Sequence, residues 1–126
     1  MIGNPTIEQM NLVIADFMGY YYNAGKFYQK SHGRGNWFKE AKYHLSWDAL
    51  MPVVEKIESI YDEFHGYFGV HISSNSCCIQ GTKLDARPGK EHYAYFNEVV
   101  LSNKKEATHY AVYQFIQWYN KQQSNE

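Results

Sequence analysis

Residues 43–60 constrain the fold of this chain more than any other segment. A short extended stretch leads to Ser46, a residue type that is typical of helix N-caps, and apolar residues then recur at helical spacing. We predict an amphipathic helix that begins after Ser46, is kinked or distorted at Pro52, and ends at Gly66. The predicted apolar stripe consists of Trp47, Leu50, Met51, Val54, Ile57, Tyr61 and Phe64.

Two further helices are predicted near the ends of the chain. Thr6 and Gln9 have the spacing of a capping box, so the first helix should begin at Thr6 and end at Gly19. The last helix should cover about residues 103–122, and residues 122–126 should form a frayed tail. Its predicted apolar face is Ala107, Ala111, Val112, Phe115, Ile116, Trp118 and Tyr119. Its predicted solvent side is Glu106, His109, Tyr113, Gln117 and Asn120.

The remaining segments favour antiparallel strands. Phe68, Val70 and Ile72 alternate with smaller or polar residues, and the turn-like residues 74–76 lead to a second strand at 77–80. A return strand is predicted at 93–101, after a polar connection. Residues 20–42 mix tyrosines with turn residues, so we expect an irregular segment with one or two short strands.

These elements predict a single α+β domain over residues 1–126. We expect an antiparallel sheet of about three to four strands packed with three amphipathic helices, like an α-β-α sandwich. A chain of 126 residues is long enough to bury one hydrophobic core.

Composition excludes some classes of function. The formal net charge of −1 argues against binding nucleic acid through bulk electrostatics, which requires a clustered excess of lysine and arginine. No apolar run reaches the length of a membrane span. Cys77 and Cys78 are adjacent on a predicted strand and therefore point to opposite faces, which suits a reducing compartment. We expect a cytoplasmic protein.

Both arginines of the chain lie in glycine-containing loops, Arg34 in residues 31–36 and Arg87 in residues 87–90. A guanidinium group can fork a phosphate or carboxylate, and glycine lets backbone N–H groups approach the same anion. One interpretation is an anion site formed by Arg34, Arg87 and Lys90. The alternative is that charged residues and glycine are simply common in loops.

Aromatic residues surround the first of these loops and supply a second candidate feature. In the binding interpretation, Trp37, Tyr22 or Tyr43 stacks on the organic part of a ligand. In the structural interpretation, the same side chains belong to the core and the edge of a sheet. Three consecutive tyrosines at 20–22 cannot all point inward, so some tyrosine surface must be exposed or lie at a subunit contact.

Histidine and cysteine offer weaker grounds for chemistry. The six histidines have none of the spacings that are typical of zinc sites, so we predict scattered histidines and neither a metal nor a cofactor. Cys78 or Ser46 beside His44 or His71 would be a possible nucleophile pair, yet no nucleophile motif supports it. We therefore place catalysis below binding.

Three segments carry a family resemblance. Residues 14–19, residues 43–48 leading into 53–57, and the helix over residues 107–119 resemble small phage and prophage proteins of unassigned role. In spacing they are similar to the phage ABA sandwich domain. The similarity covers most of the chain except residues 20–42 and 81–92, and it implies a fold and a phage origin without implying a catalytic residue.

Together these observations predict a phage-type binding protein in the host cytoplasm. It would sequester or mask a host protein or a phosphorylated small molecule without turnover. A second hypothesis is a protein–protein interaction module or a structural phage protein that forms a homodimer or higher homo-oligomer. A small enzyme with an unrecognised site is the third.

Overall fold

The computed structural model describes residues 5–29, 37–89 and 94–124, with residues 29, 37, 38 and 124 described through their backbone alone. Three α-helices and seven strands are described in it. The helices are α1 (Ile7–Phe17), α2 (Trp47–Ser59) and α3 (Lys104–Ser124). The strands are β1 (Tyr20–Asn23), β2 (Lys26–Gln29), β3 (Trp37–Phe38), β4 (Tyr61–Asp62), β5 (Gly66–Ile72), β6 (Ser76–Gly81) and β7 (Phe96–Val100). The predicted α+β class is confirmed.

The strands form two antiparallel sheets where one was predicted. The smaller sheet has the order β1-β2-β3 and the larger has the order β4-β5-β6-β7. The smaller sheet occupies the segment that we expected to be irregular. A tight turn joins β1 to β2, because Ala24 and Gly25 both adopt positive φ angles (53° and 82°), the geometry of a two-residue hairpin turn.

Helix α1 begins where the sequence predicts. The Thr6 hydroxyl accepts the backbone N–H of Gln9 at 3.0 Å, and the Gln9 side chain accepts the backbone N–H of Thr6 at 2.8 Å. This reciprocal pair satisfies two of the donors that a helix N-terminus leaves free. Ser46 also occupies the N-cap position of α2, but its side chain makes no capping hydrogen bond, so the predicted capping role of its hydroxyl is wrong.

Helix α2 ends seven residues before the predicted stop at Gly66. Ile60 is already extended, and the Asp62 carboxylate accepts the backbone N–H groups of Phe64 (2.7 Å) and His65 (3.3 Å). A carboxylate that bonds to the backbone two residues on favours a turn over a helix. Tyr61 consequently pairs with Tyr67 across β4 and β5 instead of extending the helical stripe.

The hydrophobic core lies between the helices and the inner face of the larger sheet. Helix α3 contacts β6 and β7, α2 contacts β5, and α1 packs on α3 and β1. Fully buried side chains include Ile14, Leu50, Val53, Ile57, Phe68, Ile79, Val112, Phe115 and Ile116. The outer face of the larger sheet carries the exposed side chains of Tyr67, Phe96 and Val100. Within the described residues, no helix has the length and apolar character needed to cross a membrane.

Helix α3 is buried on more sides than its predicted single apolar face. His109, which we placed on the solvent side, is 3% exposed, and Thr108 beside it is fully buried. The reason is that α1 packs against α3 from one side while the sheet packs from another. The helix also continues through Ser124, so residues 122–124 of the predicted tail are helical.

Candidate functional site

The first candidate site is a cleft of about 470 Å³ beside His44. Helix α1 forms one wall, the β1–β2 hairpin another, and the segment before α2 the third. The described residues that line the cleft are Ile7, Glu8, Asn11, Leu12, Tyr22, Phe27, Lys39, Glu40, Ala41, His44 and Leu45. Its size lies in the range of pockets that hold small organic molecules.

A buried hydrogen-bond network lies under this cleft. The Asn11 amide Nδ2 is 3.0 Å from Nδ1 of His44 and 3.4 Å from the backbone carbonyl oxygen of Ala41. The Asn11 Oδ1 is 2.8 Å from Nε2 of His109. Asn11 is 5% exposed and His109 is 3% exposed. We call Asn11, His44 and His109 the Asn11 network.

The Ala41 carbonyl determines where the protons of this network lie. A carbonyl oxygen only accepts, so the Asn11 atom that faces it is the amide nitrogen, and that nitrogen also donates to His44. Nδ1 of His44 must then carry a lone pair, which leaves the proton of the neutral ring on Nε2. His109 correspondingly donates its Nε2–H to the Asn11 oxygen.

Burial keeps His109 neutral in the folded protein. Removal from water, and secondarily the neighbouring His44 ring, lower the pKa of His109 from 6.5 to about 4. The two rings lie 5.9 Å apart between centroids. Burial and the neighbouring His44 ring therefore both favour the neutral form of His109.

This depressed pKa predicts how stability depends on pH. The unfolded chain takes up a proton at His109 near pH 6.5, whereas the folded chain does so only near pH 4, so unfolding becomes easier as the pH falls through this window. We expect His109 to account for a loss of about 2 kcal/mol in unfolding free energy between pH 7 and pH 5. His109→Gln keeps a donor near the Nε2 position and cannot titrate. Urea denaturation at both pH values should show a flatter pH dependence for His109→Gln and an unchanged one for the exposed control His71→Gln.

The side chains that line the cleft include the polar groups of Glu8, Asn11, Lys39, Glu40 and His44. The described residues that line it include no cysteine or serine to act as a nucleophile. Across residues 5–29, 37–89 and 94–124, no group of three or more histidine, cysteine or acidic side chains is placed to hold a metal ion. Apolar surface is supplied by Ile7, Leu12, Tyr22 and Leu45, which are exposed and line the cleft.

A second cleft, of about 270 Å³, lies beside Arg87. Arg87 forks the Asp85 carboxylate, with Nη2 at 2.6 Å from Oδ2 and Nε at 3.0 Å from Oδ1, and the Arg87 backbone N–H also bonds to Oδ1. His65 lies between two carboxylates, 3.5 Å from Asp85 and 3.4 Å from Asp62. The Trp118 ring also lines this cleft, and its centroid lies 5.2 Å from the centroid of the His65 ring.

Arg87 is therefore engaged by the protein itself. Hydrogen bonds from Arg87 lower the pKa of Asp85 to about 2, which keeps this buried carboxylate ionised. The guanidinium also lies 4.4 Å from the Phe64 ring. A paired guanidinium attracts an external anion less strongly than a free one, so we assign Arg87 the role of anchoring its loop.

The six predicted site residues do not form one pocket in the described part of the chain. Tyr22 lines the cleft beside His44, buried Tyr43 lines a different depression, and Arg87 lines the cleft beside Trp118. Arg34 and Lys90 lie outside the described residues, and Trp37 is described only as part of β3. The anion site that we predicted for these residues stays a prediction.

Sequence reasoning missed Asn11 and His109, although a signal for each was present. Asn11 lies three residues before Ile14 and four before Ala15, on the buried side of α1. His109 lies three residues before Val112 and seven before Ile116, which are both fully buried. Helical spacing therefore places both polar side chains inward. Comparison with family models, with curated protein sequences and with solved structures finds no match to this chain.

Proposed function

We propose that this protein is a small binding protein that holds a small organic molecule in the cleft beside His44 without chemical turnover. The observation that carries this proposal is the Asn11 network, which holds a partly exposed imidazole in one orientation at the wall of a cleft with both apolar and polar side chains. A polar group that is fixed before binding costs less conformational entropy when a ligand arrives. A network that served only to stabilise the fold would not need to border a cleft.

The charges around the cleft indicate which ligands it suits. Glu8 and Glu40 are opposed by Lys39 alone among the described lining residues, so the cleft is slightly acidic. This balance favours an uncharged or cationic ligand over the phosphorylated one that we first considered. A phosphorylated ligand would have to depend on Arg34 and Lys90.

The biological setting follows from the resemblance to small phage and prophage proteins. In that setting the protein acts in the host cytoplasm and sequesters its ligand so that a host system cannot use it. The alternative of a protein–protein or homo-oligomeric module has its support elsewhere on the molecule, in the exposed aromatic side chains on the outer face of the larger sheet.

A charge placed in the wall of the cleft tests the proposal. Leu12 is 42% exposed at the rim, so Leu12→Lys should leave the fold intact while placing an ammonium group against the apolar wall. The matched control is Leu84→Lys, at an exposed leucine that does not line the cleft. We expect fragments that bind the wild-type protein to bind Leu12→Lys at least tenfold more weakly and Leu84→Lys with unchanged affinity.

The measurement is a fragment screen that contains anionic, neutral and cationic aromatic molecules. Binding is followed by thermal shift and by the imidazole signals of His44 in ¹H–¹⁵N NMR spectra. If no fragment perturbs His44, or if fragments bind Leu12→Lys as well as the wild type, the proposed function is wrong.

A further inference from the structure

We infer that the ligand of the cleft beside His44 is a planar nitrogen heterocycle that presents a hydrogen-bond acceptor next to an N–H donor and carries no negative charge, as the base of a nucleoside does. This inference rests on the proposed function and names the chemical class that the same cleft recognises. It follows from three properties of the cleft: an N–H donor of fixed position, more carboxylate acceptors than cations, and an aromatic wall.

The first property is the donor. Nδ1 of His44 accepts a hydrogen bond from Asn11, which leaves the ring proton on Nε2. Nε2 meets no hydrogen-bond partner among the described residues, and His44 lines the cleft. The cleft therefore offers an N–H that requires an acceptor on the ligand, such as a ring nitrogen or a carbonyl oxygen.

The Asn11 network fixes this donor in one tautomer. A proton on Nδ1 of His44 would face the N–H of Asn11, whose amide cannot turn round without placing its oxygen against the Ala41 carbonyl oxygen and forcing His109 into its other tautomer. Because the partners on either side of the amide fix its orientation, His44 is restricted to the donor tautomer. A site with a fixed donor discriminates against ligands that lack the acceptor, since its N–H would be left unpaired.

The second property is the surplus of acceptors. Glu8 lies in the first turn of α1 and Glu40 in the segment after β3, and both line the cleft. Lys39 is the one lysine or arginine among the described lining residues, so the carboxylates outnumber the cations. Carboxylates accept hydrogen bonds and repel anions. The ligand should therefore carry an N–H donor, such as a ring amino group, and no phosphate or carboxylate of its own.

The third property is the aromatic wall. The rings of Tyr22 and Phe27 lie 4.9 Å apart and tilted by 60° on neighbouring strands, where the antiparallel register pairs the two residues directly. Phe27 is buried in the core and supports Tyr22, whose exposed ring is the one that a ligand can contact. Aromatic side chains of this kind stack on planar rings with little dependence on ring identity.

Two nucleosides and one nucleotide separate the effect of the ligand's amino donor from that of its charge. Adenosine has a ring acceptor beside an amino donor, purine riboside lacks only the amino group, and adenosine monophosphate adds a phosphate. We expect adenosine to bind in the cleft, purine riboside to bind about tenfold more weakly, and the monophosphate to bind more weakly than adenosine. Calorimetric titration gives the affinities, and the His44 imidazole signals give the location.

Two variants of His44 test the donor. The Asn side chain has an oxygen near the position of Nδ1, so His44→Asn keeps the acceptor for Asn11 and deletes the donor toward the ligand. The Gln side chain has its amide nitrogen near the position of Nε2, so His44→Gln supplies that donor again. We expect adenosine to bind about tenfold more weakly to His44→Asn and to recover most of this loss with His44→Gln.

The inference is overturned if purine riboside or the monophosphate binds as tightly as adenosine, or if His44→Asn binds adenosine normally. It is also overturned if no nucleoside binds while other fragments still occupy the cleft, a result that leaves the proposed function standing. If no compound of any class reaches the cleft, both conclusions fall together.

Discussion

Replacing Asn11 by leucine should lower the free energy of unfolding by about 3 kcal/mol, although leucine has nearly the same size and suits a helix better. The loss arises at His109, whose Nε2–H donates to the Asn11 oxygen at 2.8 Å in a site that is 3% exposed. Without that oxygen the buried donor loses the one hydrogen-bond partner that it has among the described residues. The Ala41 carbonyl loses its contact as well.

Urea denaturation at pH 7.5 measures this effect, with Asn120→Leu on the exposed side of α3 as the control, which should change stability by less than about 0.5 kcal/mol. The double variant Asn11→Leu/His109→Leu removes both partners of the hydrogen bond. Its destabilisation should be smaller than the sum of the two single variants by at least about 1 kcal/mol. Additive effects would show that the hydrogen bond does not couple the two helices.

Local signals in the sequence predict the ends of some elements and not of others. The capping box of α1 involves residues three apart, so the chain itself contains the whole interaction, and the predicted start is confirmed. The predicted end of α2 is wrong because apolar spacing continues through Tyr61 and Phe64. The Asp62 turn, which pairs Tyr61 with Tyr67, competes with that spacing and prevails once β5 provides a partner strand.

The candidate site is less predictable because its interactions join residues far apart in the sequence. Asn11 meets His44 over 33 positions and His109 over 98. Helical spacing can place each side chain on the buried side of its helix, but it does not say which polar groups face one another. The same limit applies to Arg87. Its position in a glycine-containing loop indicates an anion site, but the sequence does not show that its guanidinium is already paired with Asp85.

The Asp85–Arg87 pair should be the second place where a single substitution has a large effect. Asp85 has a side chain that is 3% exposed, and Arg87, at 32%, supplies most of its hydrogen bonds. Arg87→Met keeps much of the apolar contact with Phe64 but leaves the buried Asp85 carboxylate without its guanidinium partner, beside the His65 ring. We expect a loss of about 3 kcal/mol at pH 7, since removing one partner of a buried ion pair costs about this much.

The control is Lys83→Met, at an exposed cation nearby whose bond to the Tyr61 hydroxyl is long at 3.4 Å. It should change stability by less than about 0.5 kcal/mol. The double variant Arg87→Met/Asp85→Asn removes the buried charge with its partner and should be more stable than Arg87→Met alone. If Arg87→Met behaves like Lys83→Met, the pair has no anchoring role, and Arg87 returns as a candidate for the predicted anion site.

Acidification distinguishes a buried charge from lost packing as the cause of that effect. In the wild type the pKa of Asp85 lies at about 2, below its ordinary 3.8, so the stability that it contributes is complete above pH 3.8 and is lost as the pH falls toward 2. Without Arg87 the pKa of Asp85 must rise, because desolvation then acts without the opposing hydrogen bonds. Protonation of Asp85 in Arg87→Met therefore begins at a higher pH and relieves the buried charge. The stability difference between wild type and variant should shrink between pH 7 and pH 3, whereas a difference that reflects only packing would stay constant.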